Sequence, residues 1–200
     1  MFGYVNLPIK EICNHFSSGG TPNKAHSEYY DGGAIPWLRT QEVNFNKIYA
    51  TENFITEAGL ANSSAKWIPP HCVIVCISGA SAGRSAINMI PLTTNQHCCN
   101  LEINPTLADY KYIFYCLSQN YEVLQSLGQG ARGDLNAQLI TSLVIPIPSL
   151  KVQRYIVSIL ERFDTLCHDI SSGLPAEIEA RQKQYEYYRD KLLDFKEKKG

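Results

Sequence analysis

Two hundred residues, 44% hydrophobic and 18% charged, suffice for one domain or one domain with an appendage, and carry too little charge for a disordered chain. A formal net charge of −1 excludes a strongly basic nucleic-acid coat, while leaving room for a sequence-specific binder with a local basic face. No apolar run approaches the roughly 20 residues of a membrane span, and the N-terminus MFGYVNLPIKEICNHF has no basic segment leading into an apolar core, so no secretory signal is expected.

Along the chain, Ser17-Ser18-Gly19-Gly20-Thr21-Pro22 is a turn cluster. A second turn, Asp31-Gly32-Gly33, leads into a strand over 34–39. Cys72-Val73-Ile74-Val75-Cys76-Ile77 is the clearest buried strand, short, β-branched and bounded by Pro69-Pro70 and Ser78-Gly79. Residues 85–90 are expected to pair with it across the 79–84 turn. Residues 109–127 form a helix with Ile113, Cys116, Leu117, Tyr121 and Leu124 on one side. Leu143-Val144-Ile145-Pro146-Ile147-Pro148 is extended, because each proline disfavours helix in the residue before it.

The texture then changes: 19 of the 37 charged residues lie in the last 50. Val152, Ile156, Ile159, Phe163, Leu166 and Ile170 form an uninterrupted heptad-like seam. After Ser171-Ser172-Gly173, Pro175 and Glu177 suit a new helix start. Its seam has Ile178, Tyr185 and Leu192 in one row, Arg181, Tyr188 and Phe195 in the other. Two readings are open. The helices close on each other as a hairpin, or the second presents a stripe to a partner. Its large aromatic and Arg content favours the partner. The chain divides into 1–149, a mixed domain, and 150–200, a helical region. The class is α+β: a twisted sheet with helices, then a coiled-coil-like tail.

Seven cysteines at irregular spacing, mostly beside apolar residues, suit buried thiols in a reduced, cytoplasmic setting. A zinc site from His71, Cys72, Cys76, His97, Cys98 and Cys99 is disfavoured: no C-x-x-C pair occurs, and Cys72 and Cys76 lie in an expected strand. No metal site is assigned. None of His15, His26, His71, His97 and His168 lies in a catalytic signature. Gly79-Ala80-Ser81-Ala82-Gly83 matches G-x-S-x-G, but the residues after it read as a strand where a hydrolase elbow requires a helix. Residues 128–133 carry glycines without the Lys-Ser/Thr of a phosphate loop.

In place of a catalytic set, the chain offers polar groups on permissive loops. These are Arg39-Thr40-Gln41-Glu42, Ser78 to Arg84, Thr93 to His97, and Gln129 to Asn136. Arg, Gln and Asn are the side chains that read base edges, and glycines let backbone amides approach phosphates. The candidate DNA contacts are Arg39, Gln41, Ser81, Arg84, Gln96, Arg132 and Asn136.

Several stretches together resemble the specificity (S) subunit of type I restriction–modification systems. Ser18-Gly19-Gly20-Thr21-Pro22 resembles the opening of its target recognition domain, Ile35-Pro36-Trp37-Leu38-Arg39-Thr40 its next landmark, and Asn95-Gln96 before Cys98-Cys99 a third. Arg132-Gly133-Asp134-Leu135-Asn136, then 143–150, Gln153 and 156–160, resemble its exit into a conserved helical region. The tail from Gly173-Leu174-Pro175 through Asp194-Phe195 is the most specific match.

The resemblance implies a non-catalytic protein that binds half of a split double-stranded DNA target through each recognition domain. Its helices space the domains and dock methyltransferase subunits, which transfer a methyl group from S-adenosylmethionine to adenine N6. A restriction subunit completes the complex. This chain itself binds no cofactor and meets no membrane. Family members usually carry two recognition domains and two helical regions, so one of each implies a half-subunit restored by two-fold dimerisation. Ile178, Arg181, Tyr185, Tyr188, Leu192 and Phe195 are the expected dimer or partner surface. A second helix over 174–197 would span about 36 Å, close to one DNA turn. The alternative is a helical protein-interaction adaptor, or a decayed specificity fragment, without DNA recognition.

Overall fold

The structure, a computed structural model, describes residues 3–128, 134–170 and 175–195. It is a mixed α+β fold. Its strands and helices are, in order, β1 (Tyr4–Pro8), β2 (Cys13–Ser18), β3 (Ile35–Leu38), β4 (Asn46–Ile48), β5 (Phe54–Ile55), α1 (Glu57–Ala61), β6 (Val73–Cys76), β7 (Ser85–Asn88), β8 (Thr93–Thr94), β9 (Cys98–Ile103), α2 (Tyr110–Gln119), α3 (Tyr121–Ser126), α4 (Ala137–Ser142), β10 (Val144–Pro148), α5 (Leu150–Ile170) and α6 (Pro175–Leu193).

A five-stranded sheet ordered β2-β9-β6-β7-β4 forms the centre. The expected hairpin is present, with Val73 opposite Ile87 and Val75 opposite Ser85. β6 is apolar throughout because both faces of the sheet are covered. Val73 and Val75 join Ile87, Leu101, Ile113 and Leu117 in the larger core. Ile74 and Cys76 point the other way, towards Leu38, Val43, Ile68 and Leu92. β3 lies between β5 and β8 in a small second sheet.

The strand read at 143–148 is β10, and its partner is β1, with Tyr4 opposite Pro148 and Leu7 opposite Ile145. In a two-stranded sheet both strands are edges, so Pro8, Pro146 and Pro148 are tolerated. The single helix expected over 109–127 is divided at Asn120. Its backbone N–H and its Nδ2 both donate to the Cys116 carbonyl, at 3.0 and 2.8 Å, closing α2 before α3 restarts.

α5 docks onto the larger core through Ile156, Val157 and Leu160, with Val152 packed against them. The expected seam is thus only partly the buried face, since Val157 and Leu160 lie outside it and its member Leu166 is 50% exposed. Gln153, fully buried, pins the start of that helix. Its Oε1 accepts the Asp109 N–H at 2.8 Å, and its Nε2 donates to the carbonyls of Pro148 at 2.8 Å and Leu107 at 3.2 Å.

The second helix returns along the first. Leu193 is buried in the larger core, with Tyr185, Leu192 and Phe195 packed against it. Tyr188 instead stacks on Phe163 of α5, with centroids 5.4 Å apart, and stays 39% exposed. Arg181 is exposed, and the side chain of Ile178 lies outside the described part. The seam read as a partner surface is therefore divided: Tyr185, Leu192 and Phe195 face this chain's own domain, Tyr188 is shared between α5 and solvent, and Arg181 is exposed. The helix also stops at Leu193, short of the expected 197. Phe195 turns away to pack on Tyr4 and Tyr112, at 5.2 and 6.4 Å between centroids, and its carbonyl accepts the Tyr4 hydroxyl at 2.9 Å. At 1.5 Å per residue α6 spans about 28 Å, which corrects the 36 Å expectation. The Lys-rich segment 196–200 lies outside the described residues.

Glu161 ties α5 to the sheet layer, between Lys47 of β4 at 2.9 Å and Lys111 of α2 at 2.8 Å. Burial opposes its ionisation, but hydrogen bonds from Lys111 and Lys47 outweigh that and hold its carboxyl below the ordinary 4.5. For Lys111, burial acts against the charge and Glu161 more than compensates, raising it above 10.5. The Glu161 contribution to stability is thus complete above pH 4.5 and lost as pH falls through the lowered folded value. The Lys111 contribution is complete below pH 10.5 and lost as pH rises through the raised one. Glu161→Gln is expected to cost about 1–2 kcal/mol at neutral pH and to flatten the decline of Tm as pH falls below about 4.5. An unchanged acid limb in thermal melts would refute the coupling.

Candidate nucleic-acid interface

The registers bring five strand ends, and the four segments that leave them, to one end of the central sheet. Ser18 pairs with Cys99, Cys76 with Cys98, Val75 with Ser85 and Asn46 with Ala86. β2 and β6 therefore end where β9, β7 and β4 begin. Segments 19–22, 95–97, 78–84 and 44–45 emerge there side by side. Four inter-strand steps of about 4.8 Å make this rim about 19 Å wide, roughly six stacked base pairs.

Short hydrogen bonds join the segments across the strand order. The Gly20 N–H donates to the Thr94 carbonyl at 2.9 Å, and the Trp37 indole N–H to the Gly20 carbonyl at 2.9 Å. A Cβ on Gly19 would lie under 3.0 Å from Thr94, and one on Gly20 equally close to the Ala65 backbone. Only glycine permits that approach. Asn95 N–H donates to the Leu38 carbonyl at 3.0 Å, holding the 39–42 turn beside the 95–97 turn. Thr21 hydrogen-bonds Gln96, and Ser78 Oγ lies 2.6 Å from His97 Nδ1. Leu135 N–H donates to the Ile77 carbonyl at 2.7 Å, laying 134–136 over the same end.

The loops picked individually from the sequence thus meet on one rim. Gln41 and Gln96 are exposed on it, and Arg39, Ser81 and Arg84 are half-buried. Ser81 sits in a single 3-10 turn whose carbonyl accepts the Arg84 N–H at 2.9 Å. Nearby negative charge is tied to backbone. The Glu42 carboxylate accepts the N–H groups of Arg39 at 3.0 Å and Glu52 at 2.8 Å, and Asp134 accepts that of Gly79 at 3.3 Å. Asn136 is exposed and caps α4, its Oδ1 accepting the Leu139 N–H at 2.9 Å. Arg132 lies outside the described residues. Sequence reasoning named neither Ser78 nor His97 as a candidate contact, although the Ser78–Arg84 and Thr93–His97 loops that it singled out contain both.

The competing chemistries lack geometry. After the G-x-S-x-G segment the chain enters β7, and His97 meets Ser78, three residues before the motif's central Ser81. The zinc candidates are dispersed: Cys72, Cys76 and Cys98 lie on one face of the sheet and Cys99 on the other. Among the described residues no three metal-ligating side chains gather. Burial pushes the Cys72 and Cys99 thiols up to about 12, so these are protonated packing groups. No helix among the described residues is long and apolar enough to cross a membrane.

Comparison with known proteins accords with this geometry. The family model of the type I restriction modification DNA specificity domain matches residues 2–180. The chain is 34% identical over 183 residues to the specificity subunit of the type I restriction enzyme EcoR124I/EcoR124II of Escherichia coli, covering 88% of this chain and 45% of that protein. To the EcoprrI specificity subunit of Escherichia coli it is 30% identical over 202 residues, covering 96% and 50%. The solved HsdS subunit of Thermoanaerobacter tengcongensis shares the fold at a TM-score of 0.64 and 18% identity, over 96% of this chain and 45% of that one. The chain spans about half the length of the curated relatives it matches.

Proposed function

The chain belongs to the type I restriction modification DNA specificity family, and from that premise we propose that its sheet-end rim reads one half of a bipartite DNA target. The observation that supports this most is the meeting of the Arg39, Arg84, Gln41 and Gln96 loops on one rim of half-site width. In this reading residues 1–149 are the recognition domain and 150–200 the spacing and docking region. The chain itself performs no catalysis and holds no cofactor. A methyltransferase subunit carrying S-adenosylmethionine modifies adenine N6, and a restriction subunit joins the same complex in the cytoplasm. A second copy supplies the other half-site, related by a two-fold axis through the outward faces of the helices. The inward packing of Tyr185, Leu192 and Phe195 narrows that surface to the side bearing Arg181 and Tyr188.

The test is co-expression with a methyltransferase subunit of the family, native mass measurement of the complex, and genome-wide mapping of N6-methyladenine. Two copies of this chain and methylation at a symmetric, gapped site are expected. Arg39→Ala and Arg84→Ala should each weaken binding to the mapped duplex by about 1–3 kcal/mol if they contact bases. An intact complex that methylates no defined sequence would overturn the recognition reading and favour the adaptor.

A further inference from the structure

One aromatic pair on the rim, an exposed Phe45 and a half-buried Tyr121, is not accounted for by the polar loops. Phe45 is 38% exposed at the end of the rim formed by β4. It adopts φ 54°, a left-handed conformation that non-glycine residues rarely take. The conformation is enforced: the Phe45 N–H donates to the Ser85 carbonyl at 2.8 Å, and the Asn44 N–H donates to Asn46 Oδ1 at 2.8 Å. Asn46 Nδ2 in turn donates to the Glu42 carbonyl at 3.2 Å. The ring meets Tyr121 edge to face, with centroids 5.3 Å apart and planes at 89°. Tyr121 lies against Gly83, where a Cβ would come within 3.2 Å of its ring. The pair therefore abuts the turn that carries Arg84. An aromatic ring kept in water by a strained, pinned backbone marks a contact site.

Resting on the DNA reading above, we propose that Phe45, braced by Tyr121, is a further specificity-determining residue. It packs against the thymine methyl of a base pair at one end of the half-site. DNA is the occupant because the ring continues the row of base-reading loops along the same sheet end. Phenylalanine lacks hydrogen-bonding groups, so the feature it distinguishes in the major groove is the C5-methyl of thymine. A rigid ring gives that contact at little cost in side-chain entropy.

The experiment uses the complex with the methyltransferase subunit and duplexes bearing the mapped target with randomised flanking pairs. The wild-type complex is expected to enrich thymine at one position bordering the half-site. Replacing that thymine by deoxyuridine, which removes only the methyl, should weaken wild-type binding about fourfold. Phe45→Ala should lose both the enrichment and the sensitivity to deoxyuridine. The deoxyuridine measurement needs no variant, so a Phe45→Ala protein that fails to fold leaves the inference testable. If Arg84→Ala weakens binding but the wild-type complex ignores deoxyuridine at every thymine, this inference fails and the DNA reading stands. If neither change matters, the DNA reading fails with it. If Phe45→Ala instead releases the methyltransferase subunit with base preferences unchanged, the pair is a protein contact and the inference is overturned.

Discussion

Gln153→Leu is expected to lower the unfolding free energy by about 4 kcal/mol, although leucine is close in volume and the site is fully buried. The side chain serves three backbone groups from two separate segments. Leu107 and Asp109 belong to the approach to α2, and Pro148 to the end of β10. Leucine removes all three bonds, leaving the Pro148 carbonyl without this partner in the interior and the Asp109 N–H and Leu107 carbonyl without it in part-buried positions. Each such group costs about 1–3 kcal/mol. The shape-conserving exchange isolates the polar loss from any cavity. Urea denaturation of the two proteins measures it, with equal slopes required for the comparison. A difference below about 1 kcal/mol would show that water or a small backbone shift replaces the glutamine.

Gly20→Ala is the second large effect, and it reaches the rim directly. The added methyl would lie under 3.0 Å from the Ala65 and Ser64 backbones. Neither is the flexible end of a side chain, so the 19–22 segment must move. Its displacement breaks the Trp37–Gly20 and Gly20–Thr94 hydrogen bonds together. A cost of about 3 kcal/mol or more is expected, with loss of sequence-specific methylation even where folded protein remains. Gly79→Ala is the control. Gly79 has φ 71°, but nothing lies within 4 Å of its Cβ position, so only the left-handed penalty of about 1 kcal/mol applies. Equal destabilisation at the two positions would refute the role assigned to close approach.

Elements whose evidence is local were legible in the sequence. β6 declares itself by an apolar run bounded by turns, and α5 by an unbroken heptad seam. β1 does not, because Tyr4 finds its partner at Pro148 and nothing in the first eight residues specifies that pairing. The break at Asn120 depends on one amide reaching back to Cys116, which periodicity ignores. α6 is harder still. Tyr185 and Leu192 face inward while Tyr187, 54% exposed, and Tyr188 face out, so apolar character alone cannot say which side has a partner.

The rim was legible only in pieces. Each loop has the composition of an ordinary turn, and their meeting is a property of strand order that no single loop contains. Asn136 shows the limit in the other direction. Its residue type suits base reading, yet the structure uses its oxygen as a helix cap. Phe45 left little local signal: Asn46 braces the turn nearby, but the bond to the Phe45 N–H itself comes from Ser85, far away in the chain.

The clasp between Tyr4 and Phe195 makes the described chain nearly a ring. Its first strand and the residues that close its last helix touch, so a short tether would span them without rearranging the native contacts. Covalent closure would then act on the unfolded chain alone, removing the entropy of two free ends. By the same geometry, the order in which the segments are read could be rotated, with new ends opened at an exposed turn such as 31–33, and the same sheet and rim would result.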